Sequence, residues 1–491
     1  MASPRFLDRR EFLESSTFTA LASAISYPSG VLAQPQLAEV KADYTLRIRH
    51  AKVELAPNHV ISTTTYNDQF PGPLVRLKEG RRVTVDLFND TDVPEQLHWH
   101  GQNLPVDVDG AAEEGTPHIP AHGVRRISFI PGPSGLRFYH SHLIAGSNLT
   151  AGLYSGQAGL VYIEPRREPG QFDREVFLVL KEFEPKLTRG GDMAMDFLRP
   201  SATDGKLEEA GKNAMAASLK RGMPHGYEVG YELFSINGRM LGHGEPVRVK
   251  AGERVLFHVL NASATEIRSL ALPGHTFTVV ALDGNPVSTP TSVPTLWIGT
   301  AERVSAIVEM NRPGVWILGD LDDDDRSHGM GVVVEYAGAT GKPRWVKPQA
   351  PTWDYTVFGK GTAIAPDETI DMLFEKVNAA EKGFNQWTIN GIAFSMHTLR
   401  AMFQLQKGRR YRVRMRNASD DIHPVHIHRH SFELTRIAGK ATAGVMKDVV
   451  MLGGYQEIEL DFVADNPGRT LFHCHQQLHM DFGFMALLDY I

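Results

Sequence analysis

Short runs of alternating apolar and polar side chains dominate this chain, and three of them share one frame. Gly80-Arg-Arg-Val-Thr-Val-Asp-Leu-Phe-Asn89, Gly252-Glu-Arg-Val-Leu-Phe-His-Val-Leu-Asn261 and Gly408-Arg-Arg-Tyr-Arg-Val-Arg-Met-Arg-Asn417 each run nine positions from Gly to Asn. The alternation is cleanest in the third copy and has the period-2 pattern of a half-buried strand. Gly and Asn at the ends are turn residues. A second strand-like segment follows in each copy: Gly135-Leu-Arg-Phe-Tyr-His140, Gly314-Val-Trp-Ile-Leu-Gly319 and Gly468-Arg-Thr-Leu-Phe-His473. Short strands, frequent turn residues and no sustained 3.6-residue periodicity predict an all-β chain of three repeated units, each a Greek-key sandwich or barrel. Turn-rich stretches, Glu164-Pro165-Arg166-Arg167-Glu168-Pro169 and Thr340-Gly341-Lys342-Pro343, divide the units into 38–165, 166–345 and 346–491. Residues from about 189 to 224, which include Gly190-Gly191, read as a long loop or short helix inside the middle unit.

At 491 residues the chain is too long for one core. With 42% hydrophobic and 22% charged residues it has a globular composition, and no apolar run of ~18 residues offers a membrane span. A net charge of −6 without a long basic stretch argues against a nucleic-acid partner. Residues 1–37 read as an export signal and linker: Arg9-Arg10-Glu11-Phe12-Leu13 fits the twin-arginine pattern, a mildly apolar stretch runs from Thr17 to Val31, and Val31-Leu32-Ala33 suits a cleavage site. That predicts passage through the export machinery for folded proteins and a periplasmic or secreted location. A single cysteine excludes an intrachain disulfide and asks for another explanation.

The histidines supply that explanation once they are registered against the repeat. His98 and His100 lie nine and eleven positions after Asn89, and His426 and His428 lie at the same offsets from Asn417. The second segment ends in His140-Ser141-His142 in the first copy and His473-Cys474-His475 in the third. The middle copy has Leu270, Leu272 and Gly319-Asp320-Leu321 at these places. Each pair has i, i+2 spacing, which on a strand sends both side chains to one face about 6.5 Å apart. Four facing pairs supply enough imidazoles for a cluster of several metal ions. Imidazole alone does not choose among copper, zinc and iron. Cys474 does, because its side chain leaves the opposite face from His473 and His475, near His479 in the chain. His423 precedes the third pair, in His423-Pro424-Val425-His426-Ile427-His428. Two imidazoles and one thiolate form the trigonal set of a blue-copper electron-transfer site, linked through the peptide to the cluster. Zinc prefers a closed tetrahedral set and has no redox use for such wiring.

In these motifs the chain resembles the three-domain multicopper oxidases, the laccases, bilirubin oxidases and cuprous oxidases, over nearly all of residues 40–491. The resemblance implies three cupredoxin-like domains and four copper ions: one type 1, one type 2 and a type 3 pair. It implies type 1 copper on His423, Cys474 and His479, and type 2 copper on His98 and His426. The type 3 ions would sit on His100, His140 and His475 and on His142, His428 and His473. It further implies one-electron oxidation of phenol-like or similar small reductants at type 1 copper and reduction of O2 to water at the cluster. The alternatives are a metal-ion oxidase for Cu(I) or Fe(II) in periplasmic metal tolerance, or a non-catalytic envelope scaffold. A two-domain copper nitrite reductase is excluded by the third repeat.

Three further positions follow from the resemblance. Gly483 is followed by Phe484, so the axial position at type 1 copper carries Phe instead of Met, although a one-residue bulge would bring in Met485. Asp109, in Pro105-Val106-Asp107-Val108-Asp109-Gly110, matches an acid near type 2 copper that relays protons; Asp before Gly is also a common turn pair. The acid that many members carry directly after the last His is replaced here by Met480, with Asp481 next, which leaves the second proton donor open. His430 reads as a hydrogen-bonded strand histidine, Asp322 to Asp325 as a solvated acidic loop, and Met193, Met195, Met215, Met223 and His225 as too sparse for a Cu(I)-handling cluster.

Overall fold

The computed structural model describes residues 41–166, 170–188, 226–349 and 351–491. The expected export signal, the Gly190-Gly191 loop, and Met193, Met195, Met215, Met223 and His225 lie outside the described residues. Strands dominate: among the described residues three pairs of sheets span 44–164, 174–336 and 368–490, and a separate two-stranded sheet joins Lys186–Thr188 to Glu228–Gly230. The middle and third pairs have six- and five-stranded sheets with the same order of connections, and the first pair is a four-plus-four version.

The three Gly-to-Asn frames become the strands Val83–Asn89, Arg254–Asn261 and Arg410–Asn417. Each pairs in parallel with the strand that opens its unit and antiparallel with a later one, the mixed pairing of a cupredoxin-like Greek key. Gly80, Gly252 and Gly408 take positive φ (76°, 82° and 86°), where glycine carries no steric penalty. The Asn residues brace more than a turn. Each is fully buried, donates through Nδ2 to two backbone carbonyls and accepts one backbone N–H: Asn89 from Thr91, Asn261 from Ser263, Asn417 from Ser419.

Burial alternates strictly along Arg410–Asn417 but is nearly continuous along Arg254–Asn261. The middle strand is covered on its second face largely by the first unit: His258, stacked on Phe177 of its own unit, packs on Tyr162, and Leu260 joins a core with Leu136, Phe138 and Leu160. Such double coverage erases the polar half of the period-2 pattern. Among the described residues no helix is long and apolar enough to cross a membrane. Asp322 to Asp325 are solvated but not a loop: Asp322 caps a short helix, Asp323–Ser327, Asp322 to Asp324 are exposed, and Asp325 pairs with the buried Arg268.

Candidate metal centre

Histidine-bearing strands of the first and third units face one another. In the first, His98–His100 lies antiparallel to Gly135–His140 with His98 opposite His140; in the third, His423–Ile427 lies beside Thr470–Cys474 with His426 opposite His473. The middle unit pairs Ala271 with Gly319, one residue away from the Leu270 that the offset assigns. Leu270 and Leu272 fill its core.

Not every pair lies on one strand face. His142, His428 and His475 each stand just beyond a strand end. That frees partners to separate: His140 gathers with His100 and His475, while His142 gathers with His428 and His473. A third group joins His98, His100 and His426, and a fourth joins His423, Cys474 and His479. All eleven side chains are at most 3% exposed.

Hydrogen bonds choose which nitrogen each ring presents. Nδ1 is turned to a backbone carbonyl in His98 (Asp109, 2.9 Å), His140 (Ser141, 2.8 Å), His426 (Asp448, 2.7 Å) and His473 (Cys474, 2.8 Å). His428 Nδ1 meets Asp109 Oδ2 at 2.9 Å, and Glu113 Oε2 lies 3.4 Å from His142 Nδ1. His100 is reversed: its Nε2 meets Asp448 Oδ1 at 3.1 Å and its Nδ1 points to His140 Nε2 at 3.4 Å. Nε2 of His98, His142 and His426 is buried with no hydrogen-bond partner among the described residues. Burial first, then neighbouring charges, holds His100, His140, His426, His428, His473 and His475 well below the usual imidazole range, so their lone pairs are open. Buried, unpartnered ring nitrogens are what a bound cation satisfies.

The fourth group has trigonal spacing. His423 Nδ1 and His479 Nδ1 are 3.0 Å apart, and Cys474 Sγ lies 3.7 and 3.5 Å from them. Donors about 2.0–2.3 Å from one centre lie about 3.0–3.7 Å apart when the angles between them run from about 97° to 120°, so the triangle fits one ion. Burial pushes the Cys474 thiol well up; a coordinated ion reverses that by binding the thiolate. Trp387 stacks on His479 at 4.1 Å, and its indole N–H donates to Asp421 at 2.9 Å. The Phe484 ring stands 4.5 Å from that of His423. Met485 pairs with His473 in the sheet and packs with Leu471, Met480 and Leu487.

Three multicopper oxidase family models match the chain in sequence, at residues 47–168, 209–329 and 370–490. The chain belongs to the multicopper oxidases. It is a copper-dependent oxidoreductase that uses O2, with a small-molecule or metal-ion reductant. This oxidase is 29% identical to "Multicopper oxidase MmcO" of Mycobacterium tuberculosis, with 99% of the chain and 97% of the relative covered. It is 25% identical to bilirubin oxidase of Albifimbria verrucaria, over 86% of the chain and 72% of the relative. Its fold is like that of Fet3p, described as a multicopper oxidase that functions in iron import, at TM-score 0.72 and 18% identity, over 91% of the chain and 90% of that structure.

The oxidase also holds acids that reading the chain missed. Glu114 Oε1 lies 3.5 Å from His428 Nδ1 and accepts the Leu471 N–H at 2.7 Å. Burial and the neighbouring Asp109 carboxylate push its carboxyl well up. Glu113 and Glu114 follow the Asp109-Gly110 turn closely, and that adjacency was the available signal. Asp481 accepts the Ala145 and Gly146 N–H groups at 2.9 and 2.7 Å, and burial pushes it up to about 8. His430 is bonded to the His428 carbonyl and to Tyr490 Oη.

Proposed function

We propose that this oxidase couples one-electron oxidation of phenol-like or similar small reductants to four-electron reduction of O2 to water, with four copper ions supplying the electron transfer and oxygen reduction when bound. His423, Cys474 and His479 would hold type 1 copper, and His98 and His426 type 2. His100, His140 and His475 would hold one type 3 ion, and His142, His428 and His473 the other. One observation carries the reading. Cys474 sends Sγ into one donor set while its carbonyl accepts from His473 Nδ1 in another at 2.8 Å, so the electron-entry site and the oxygen site share one residue.

Asp109 is the candidate proton relay. Its Oδ2 reaches His428 Nδ1 and His98 Nδ1 at 2.9 and 3.1 Å, while Oδ1 is buried with no hydrogen-bond partner among the described residues. One oxygen thus orients two rings and the other is left for a proton or a water. The phenol reading is preferred to a metal-ion substrate because the acids beside His423 are engaged: Asp420 and Asp421 both pair with Lys376, at 2.5 and 2.9 Å. We also propose domain boundaries near 165 and 345, and twin-arginine export to a periplasmic or secreted location, on the sequence signals above.

The test is the visible spectrum of the copper-loaded protein. An intense blue thiolate band that bleaches anaerobically with a phenol and returns with O2 is expected, and Cys474→Ser should lack it. A colourless wild-type protein binding fewer than about three coppers ends the reading. Faster turnover with Cu(I) than with phenols moves the assignment to a metal-ion oxidase.

A further inference from the structure

The middle unit contributes nothing to the four donor sets, yet one of its arginines stands directly behind them. Arg303 is 0% exposed and forks onto Asp448 of the third unit, Nη1 to Oδ1 at 2.6 Å and Nη2 to Oδ2 at 2.5 Å. The same Asp448 Oδ1 meets His100 Nε2 of the first unit at 3.1 Å, and the Asp448 carbonyl accepts from His426 Nδ1 at 2.7 Å. One residue therefore anchors a ring from each side of the interface. Arg137 of the first unit adds a contact to Asp448 Oδ2 at 3.3 Å. Behind them, Asp283 accepts the backbone N–H groups of Arg303, Asp448 and Val449 at 2.9, 3.2 and 3.1 Å. Lys447 closes the network by pairing with Asp283 and Glu302, each at 3.0 Å. Gly101, next to His100, has φ +78°, and a Cβ there would lie 2.6 Å from Asp448 Oδ2 and 2.7 Å from Arg303 Nη2. The network thus occupies the space that any side chain after His98-Trp99-His100 would need.

We infer that Arg303 is a positioning residue for the cluster. Acting through Asp448, it fixes His100 with Nε2 as the proton-bearing nitrogen, so that Nδ1 faces His140 and His475, and it ties His426 to the same anchor. A bidentate Arg–carboxylate pair sets angle as well as distance, and a buried carboxylate that loses its partner seeks another. This rests on the copper assignment proposed above. A network that merely glues three units together would not distinguish the cluster from the type 1 site, whose donors all lie in the third unit.

The experiment compares the copper-loaded full-length wild type, Arg303→Met and Arg303→Lys, the last keeping the charge but not the fork. With the blue band retained, the type 2 electron paramagnetic resonance pattern should change in Arg303→Met. Copper affinity of the cluster, read by titration against a chelator, should fall about 10–100-fold. Arg303→Lys should fall between, and should Arg303→Met not fold, it carries the same comparison. Wild-type type 2 spectra and cluster affinity in a folded variant overturn the inference, as does parallel loss of the blue band and the cluster. A wild type without the blue band overturns the copper assignment itself.

Discussion

Replacing Phe484 by Met asks what sits beside the triangle of His423, Cys474 and His479 proposed to hold type 1 copper. Phe484 is fully buried, its ring 4.5 Å from His423 and 4.6 Å from Phe374. Met485 packs with Leu471, Met480 and Leu487, and the ring of Phe484 is the one that stands against His423. A Phe-to-Met exchange roughly conserves volume and costs less than about 1.5 kcal/mol in packing. Loss of the edge-to-face contacts adds about 0.5–1.5 kcal/mol, small enough for the fold to persist. A thioether that binds the oxidised ion 10- to 100-fold better than the reduced ion lowers a one-electron midpoint by about 60–120 mV, since each tenfold is about 59 mV. The assay is a redox titration of the blue band in wild type, Phe484→Met and Met485→Leu. The expected result is a fall in the first variant and no change in the second. An unchanged or raised midpoint in Phe484→Met with the band intact refutes the reasoning. So does a changed midpoint in Met485→Leu, which would make Met485 the axial neighbour.

Other consequences can be measured separately. Asp109→Asn keeps the shape that orients His98 and His428 but cannot relay a proton, so reoxidation by O2 should slow by about 10²–10⁴-fold while anaerobic bleaching by a phenol keeps its rate; stopped-flow absorbance reads both, and unchanged reoxidation removes Asp109 from the relay. Glu95 accepts from Gln157 at 3.1 Å, and burial pushes its carboxyl up to about 7 from 4.5. The native state therefore keeps a proton that the unfolded chain releases between those values, so this group makes stability fall as pH rises through that window, by at most about 1.4 kcal/mol per pH unit. In Glu95→Gln that component should vanish from the pH dependence of the denaturation midpoint. Asn261→Ala strands the Glu266 and Ile298 carbonyls and the Ser263 amide. It should destabilise by about 2–4 kcal/mol, with copper content unchanged, and a neutral effect on chemical denaturation would show that the brace carries no load.

Much of the site is legible along the chain because strands impose fixed offsets. Positions nine and eleven after Asn89 and Asn417 mark His98, His100, His426 and His428 because each frame leads into the same connection and the same next strand. The offset fails in the middle unit, where Ala271 and not Leu270 meets Gly319, since nothing there needs two rings in register. Alternation likewise fades in Arg254–Asn261, which is buried from both sides. Asp448 stays invisible because its partner His100 is 348 positions away, and Lys447-Asp448-Val449 has no local mark of function. Glu113 and Glu114 lie beside a motif but touch rings from strands elsewhere.

By itself the sequence determined the strand frames, the three-fold repetition and the chemical identity of the donors, because period-2 burial and turn residues act over a few positions. It also set Cys474 between two histidines, which needs only the peptide bond. Only the tertiary structure decided which rings meet. His142, His428 and His475 leave their strands, so three of the i, i+2 pairs divide between groups, while His98 and His100, both on one strand, share a group. It also decided which nitrogen each ring offers. That choice belongs to the partner of the other nitrogen: the carbonyls of Asp109 and Asp448 reach His98 and His426 within a unit, whereas the Asp109 carboxylate reaches His428, and the Asp448 carboxylate pinned by Arg303 reaches His100, only when the units pack.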